Sequence, residues 1–134
     1  MPVIEGAIAR GVAKFQYDFA ARGGAAGDIV LAGEPLPKYA VVWDGVVDVI
    51  TAVVGAGASC ALTTSQSAND LITAAAVSGA PWSSTGSKAI VPVGDHTNSI
   101  KMTAERAPKL VISAADLTAG KFNLFLEYYL SDGA

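Results

Sequence analysis

Hydrophobic and polar side chains alternate with a period of two in several short stretches of the chain. Between residues 12 and 19, three aromatic side chains alternate with Lys14, Gln16 and Asp18, and residues 121–130 repeat the pattern. A period of two places successive side chains on opposite faces of a β-strand. The pattern therefore predicts two half-buried strands, and shorter β-type runs predict six more. These six cover residues 29–31, 39–51, 59–64, 88–93, 99–103 and 110–113.

Turn-forming residues separate the runs at intervals of roughly ten residues, as in all-β domains. About eight short strands without a strand-helix-strand rhythm indicate an all-β, single-domain antiparallel sandwich or jelly-roll-like barrel. At most one short helix is expected, near residues 69–77, where Asn69 can act as the N-cap and a leucine, an isoleucine and three alanines favour helix.

The apolar faces of the strands predict one core between two sheets. In the valine-rich strand, the pattern places Val41, Trp43, Val47 and Val49 on the same face. Asp44-Gly45, in the middle of that strand, fits a bulge or a hairpin equally well. The predicted core residues are Phe15, Tyr17, Phe19, Trp43, Val47, Phe122, Leu124 and Leu126.

Charge is sparse and unevenly distributed. Charged residues make up 16% of the 134 residues, and Asp70 is the only one between residues 49 and 87, against a usual share of about 25%. We interpret part of this stretch as subunit contact; an Ala/Gly-rich monomeric domain is the alternative. A net charge of −3 with scattered lysines and arginines excludes a basic footprint for nucleic acid.

The residues that could carry chemistry do not form a catalytic or metal-binding pattern. His96, the sole histidine, lies in a turn-like sequence, and Cys60, the sole cysteine, has small or apolar neighbours typical of a buried thiol. On a strand, Asp44 and Asp48 would be more than about 10 Å apart, too far to share a proton. The glycine-rich residues 55–60 lack the lysine of a P-loop. We expect no enzyme activity, cofactor, metal or small-molecule substrate.

The first eleven residues are predicted to form an N-terminal arm ahead of a β domain covering residues 12–134. Val3, Ile4 and Ile8 are apolar but too few and too irregular to form a strand or helix of their own. We expect them to bind a partner subunit. The segment has neither the basic start nor the continuous apolar run of a signal peptide, and the apolar run near residues 46–62 is too interrupted to span a membrane. Synthesis in a cytoplasm without membrane association is therefore expected.

A set of short sequence matches resembles small structural proteins encoded beside the major capsid gene of tailed bacteriophages. The similarity extends over nearly the whole chain after residue 10, and none of the matched residues is catalytic. The matches are Gly27-Asp28-Ile29, Leu36-Pro37, Ala80-Pro81-Trp82, Ala119-Gly120-Lys121-Phe122 and Leu126-Glu127-Tyr128.

The resemblance implies a β-rich homotrimer that decorates, or cements, the outer surface of a capsid at its three-fold positions. The expected partners are sister subunits and the major capsid protein, and the expected location is the virion surface. Another virion component is the alternative: a head fibre base, a tail part or a carbohydrate-binding adsorption module. Exposed aromatic residues on one loop would favour the sugar binder. A non-viral binding domain is a further possibility.

Overall fold

The computed structural model describes residues 10–67, 70–94 and 97–131, and these form nine strands and one short helix. The first and the last strand bury every second side chain over most of their lengths, as the sequence pattern predicts. In chain order the elements are β1 (Arg10–Asp18), α1 (Phe19–Arg22), β2 (Gly27–Val30), β3 (Ala40–Val54), β4 (Ser59–Thr63), β5 (Ile72–Ala76), β6 (Gly86–Ala89), β7 (Ile100–Lys101), β8 (Lys109–Ser113) and β9 (Ala119–Leu130).

Two antiparallel sheets pack face to face around one core. The first sheet has the order β1-β9-β3-β6, with β7 also paired to β3, and the second has the order β2-β8-β4-β5. The two longest strands, β3 and β9, pair with each other along most of their lengths and form the centre of the first sheet. The predicted all-β antiparallel sandwich is thus confirmed, and the described strands do not close into a barrel.

Six of the eight predicted core residues are almost completely buried and belong to one apolar cluster. They are Phe15, Tyr17, Val47, Phe122, Leu124 and Leu126. Phe19 is half-buried and packs against the edge of the cluster. The largest fully buried side chain is Trp82, which the sequence pattern did not place in the core. Its ring lies 5.4 Å from that of Phe122, and its indole N–H donates to the Cys60 carbonyl oxygen at 3.2 Å.

Trp43 is the exception among the predicted core residues. The register between β3 and β9 shifts between Val42 and Asp44, so the inward-facing positions change from even to odd numbers across this point. Val42 is therefore fully buried, and Trp43, at the irregularity, is only half-buried. Trp43 borders a shallow depression whose other residues come from β1 and β9. Placing Trp43 on the core face was wrong because strict alternation does not continue through a bulge.

The helix predicted near residues 69–77 is also wrong. Residues 72–76 form β5, which pairs with β4, and Ile72 lies opposite Leu62 in the core. Burying Ile72 and Val77 in the sandwich outweighs the modest helix propensity of the alanines between them. Asn69, the predicted N-cap, lies outside the described residues. The observed helix is the four-residue α1, which is capped by Asp18 accepting a hydrogen bond from the Ala20 N–H at 3.0 Å.

Asp44-Gly45 does not form a hairpin, because β3 continues past it and stays paired to β9, and the bulge lies just before it, between Val42 and Asp44. A Cβ atom at Gly45 would lie 2.7 Å from Cδ1 of Ile90 and still closer to the carbonyl oxygen of Phe125. The second of these neighbours is backbone in the central strand and cannot rotate away. Glycine is therefore required here by the close approach of β3 to β9.

Gly45→Ala is expected to lower the free energy of unfolding by about 1–3 kcal/mol, because the two central strands must separate to admit the methyl group. Gly79→Ala is the matched control: among the described residues, the only neighbour within 4 Å of its Cβ position is the Ala76 carbonyl oxygen, at 3.8 Å. That variant should change stability by no more than about 0.5 kcal/mol. Urea unfolding of both variants measures the difference, and equal losses would contradict the packing described for Gly45.

Candidate interaction surfaces

The segment that carries almost no charge folds into one flank of the sandwich. Residues 49–87 comprise the second half of β3, all of β4 and β5, and the start of β6. Because β5 and β6 are the last strands of their sheets, the segment supplies the outer edges of both sheets on the same side. We call its exposed side chains the uncharged flank. On β5, the following turn and the start of β6 they are Thr73, Ala74, Ala76, Ser78, Ala80, Ser83, Ser84, Thr85 and Ser87.

Asp70 is the single charged residue in that segment, and its carboxylate is held by internal hydrogen bonds. Asp70 Oδ1 accepts from the Thr64 N–H at 2.7 Å, and Oδ2 accepts from the Thr64 hydroxyl at 2.5 Å. Thr64 itself is completely buried. The charge of Asp70 therefore fixes the loop between β4 and β5. The uncharged flank presents small apolar and hydroxyl side chains to its surroundings, so a partner can cover it without desolvating a charge.

Two hollows interrupt the uncharged flank. The larger, of about 590 Å³, is a groove between β5 and β6 lined by Leu71, Ile72, Thr73, Ala80, Pro81, Ser87, Lys88, Ala89, Ile90 and Val91. The smaller, of about 380 Å³, lies where β3 ends, beside the turn that contains Gly55 and Gly57. Val54 borders it and is 50% exposed. Apolar side chains exposed next to a hollow favour contact with another protein.

The outer face of the first sheet has the opposite character. Alternation along β1, β9 and β3 brings charged and amide side chains to this surface, including Lys14, Asp18, Asp44, Asp48, Lys121 and Glu127. Gln16 Nε2 donates to Asn123 Oδ1 at 2.9 Å across the β1–β9 pair. The Lys14 ammonium lies 5.9 Å from the centre of the Phe125 ring. This charged face is typical of a solvated sheet surface, whereas the uncharged flank carries almost no charged side chains.

The groups considered for chemistry are not brought together into a site. Asp44 Oδ1 accepts from the Gly45 N–H at 2.8 Å, and Cys60 is completely buried. Burial raises the pKa of the Cys60 thiol from 9.0 to about 12, so the reactive thiolate is disfavoured. His96 lies outside the described residues. Within the described ranges, no three histidine, cysteine or carboxylate side chains are grouped so as to hold a metal ion.

The predicted arm lies mostly outside the described residues, and this includes Val3, Ile4 and Ile8. The first described strand begins at Arg10, so Arg10 and Gly11 pair with Tyr129 and Tyr128 in the first sheet. Arg10 and Gly11, both within the predicted arm, thus take part in the pairing of the first described strand. Among the helices that the structure describes, none has the length and apolar character to cross a membrane.

Comparison with solved structures finds the same fold in chains of three bacteriophage capsids. They belong to the acid-stable capsid of Helicobacter pylori bacteriophage KHP30, the capsid asymmetric unit of cyanophage Pam1, and the capsid of Ralstonia phage GP4. The TM-scores are 0.61, 0.60 and 0.59, with sequence identities of 15%, 18% and 19%. The matches cover 91%, 91% and 90% of this chain and 88%, 85% and 85% of the respective capsid chains.

Neither a protein-family model nor a curated protein matches the sequence. The three capsid chains support, at the level of the fold, the resemblance to phage head proteins that the short sequence matches suggested. The similarity includes both sheets, since it covers about nine-tenths of the chain.

Proposed function

We propose that this chain is a virion structural protein, namely a decoration (cement) protein that binds the outer surface of a tailed-phage capsid as a homotrimer and stabilises it. The observation that carries the proposal is the fold, shared over nearly the whole chain with chains of three phage capsids. In this proposal the protein is made in the host cytoplasm, acts in the virion and has no catalytic role. Its partners are its sister subunits and the major capsid protein.

The uncharged flank supports an assembled state. A surface of alanine, serine and threonine can pack against another subunit at little cost in side-chain entropy and without desolvating a charge. A closed trimer presents three identical binding surfaces, so a weak contact of each subunit with the shell is multiplied by effective concentration. Small exposed contacts are thus sufficient for strong attachment.

A carbohydrate-binding adsorption module is less well supported by the side chains. Sugar-binding surfaces usually present exposed aromatic rings, but Trp82 is fully buried and Trp43 is half-buried at the β3 bulge. The described residues therefore offer no exposed tryptophan to a glycan. A head fibre base or a tail component shares the need for subunit contacts and remains the second candidate.

Light scattering during size exclusion tests the trimer. At micromolar concentration we expect a mass three times that of the 13.6 kDa chain. The matched variant with residues 2–9 deleted keeps β1 intact and shows whether the domain alone is sufficient for assembly. A stable monomer for the full-length chain at this concentration would contradict the proposed homotrimer.

A further inference from the structure

The groove between β5 and β6 is bordered by two open sheet edges. Along the described chain β5 pairs only with β4, and β6 pairs only with β3, so each strand has unpaired backbone groups on the side facing the groove. A hydrogen bond from the Val91 N–H to the Leu71 carbonyl oxygen, at 2.8 Å, joins the two sheets beside it. Open edges next to an apolar groove are suited to binding an extended peptide as an added strand.

The groove carries one ionisable side chain. Ile72, Ile90, Val91 and Pro81 make its walls apolar, and Lys88 lies among them half-buried. The Lys88 ammonium donates to Ser84 Oγ at 2.9 Å and to the Thr85 carbonyl oxygen at 3.3 Å. In the described ranges it has no carboxylate partner, since the ion pair found there is Lys109 with Asp28. The preferred occupant is therefore an extended apolar segment with one acidic side chain.

Residues 1–9 have this composition. They contain Val3, Ile4 and Ile8, a single acidic residue, Glu5, and no lysine or arginine. Fully extended, nine residues reach about 30 Å, longer than the four-residue edge of β6. We propose that residues 1–9 of one subunit lie extended in the β5–β6 groove of a second copy, with the Glu5 carboxylate beside the Lys88 ammonium. This inference rests on the proposed self-assembly and identifies the contact that the arm makes.

The topology favours a second copy over the same chain. In the register of the first sheet, Ala89 of β6 is aligned with Lys14 of β1. Strands β3 and β9 lie between them, so the two residues are three inter-strand spacings apart. Arg10 is four residues further along β1, so roughly 20 Å separate it from Ala89. Covering that distance across the charged outer face of the first sheet uses about six residues. Only residues 1–3 would then reach the groove, and Ile8, two residues from Arg10, could not lie in the groove of its own chain.

Charge reversal tests the proposed ion pair in the full-length chain. Glu5→Lys and Lys88→Glu should each weaken self-association roughly tenfold, because each places two like charges together at every repeated contact. The double variant should recover most of the wild-type affinity. Circular dichroism and thermal unfolding of each variant show whether the fold is retained. Additive losses in the double variant would overturn the pairing of these two residues.

Cross-linking distinguishes the same chain from a second copy. A chain with Ile8→Cys is mixed with a tagged chain that lacks residues 2–9 and carries Ala89→Cys, and a short bismaleimide is added. We expect a covalent dimer of tagged and untagged chains, and much less of it when Ala21→Cys on α1 replaces Ala89→Cys. The native Cys60 thiol is buried and should not react. A trimer without this cross-link would overturn only the arm contact; a monomer would overturn both this inference and the proposed homotrimer.

Discussion

Phe15→Ala should lower the free energy of unfolding by about 3–5 kcal/mol. Phe15 is completely buried on the inward face of β1, opposite Leu124 of β9, and its ring edge packs against Gly33. Removing the ring leaves a cavity at the junction of an edge strand and a central strand. The rigid packing of both sheets prevents this cavity from closing. Because domains of this size are stable by only about 5–15 kcal/mol, the variant should unfold at a clearly lower urea concentration.

Val12→Ala is the matched control for Phe15→Ala. Val12 lies on the same strand but is 64% exposed, so its truncation should change stability by about 0.5 kcal/mol or less. Both variants are compared at one fixed protein concentration, since assembly makes apparent stability concentration-dependent. A loss below about 1 kcal/mol for Phe15→Ala would show that the ring is not buried in the core.

Ala74→Glu should leave the domain folded and raise the dissociation constant of the assembly by about 100-fold or more. Ala74 is exposed on the edge strand β5, within the uncharged flank. A carboxylate introduced there would have to lose its hydration when the flank packs against a sister subunit, without a partner to compensate. Three-fold repetition multiplies the effect. Sedimentation velocity over a concentration series measures the shift from trimer to monomer.

Ala21→Glu is the control for this charge. Ala21 is exposed on α1, which follows β1 at the opposite edge of the first sheet from β6. The same change in net charge at that position should leave self-association unaltered. If Ala21→Glu and Ala74→Glu weakened assembly equally, general repulsion would explain the result, and the uncharged flank would not be the contact surface.

The elements that could be predicted from the sequence are those whose pattern lies within a few neighbouring residues. The alternation in residues 12–19 and 121–130 was sufficient to place β1 and β9 and to orient Phe15 and Phe122 inward, because a strand's two faces follow directly from a period of two. The stretch from residue 49 to 87 could likewise be recognised as unusual from its missing charges. Its arrangement as one flank depends on β5 and β6 being the last strands of different sheets, which local patterns do not encode.

The errors have a common physical origin in contacts between distant parts of the chain. Trp82 lies in a turn, and its burial depends on Phe122, forty residues later in sequence, and on the Cys60 carbonyl oxygen. The alanines of β5 favour helix when considered alone, and pairing with β4 changes the outcome. Trp43 shows how one bulge reverses the faces of a strand. The β5–β6 groove could not be predicted, since it forms between edges of two sheets.

Attachment to the shell is the central claim, and binding to purified capsids tests it most directly. Expanded capsids assembled from the major capsid protein of the phage that encodes this chain are mixed with the purified protein and imaged by electron cryo-microscopy. We predict added density on the outer surface at the three-fold positions, into which a trimer of this β-sandwich fits, together with a higher capsid melting temperature. Capsids that remain bare at saturating protein concentration, with an unchanged melting temperature, would contradict the proposed decoration function.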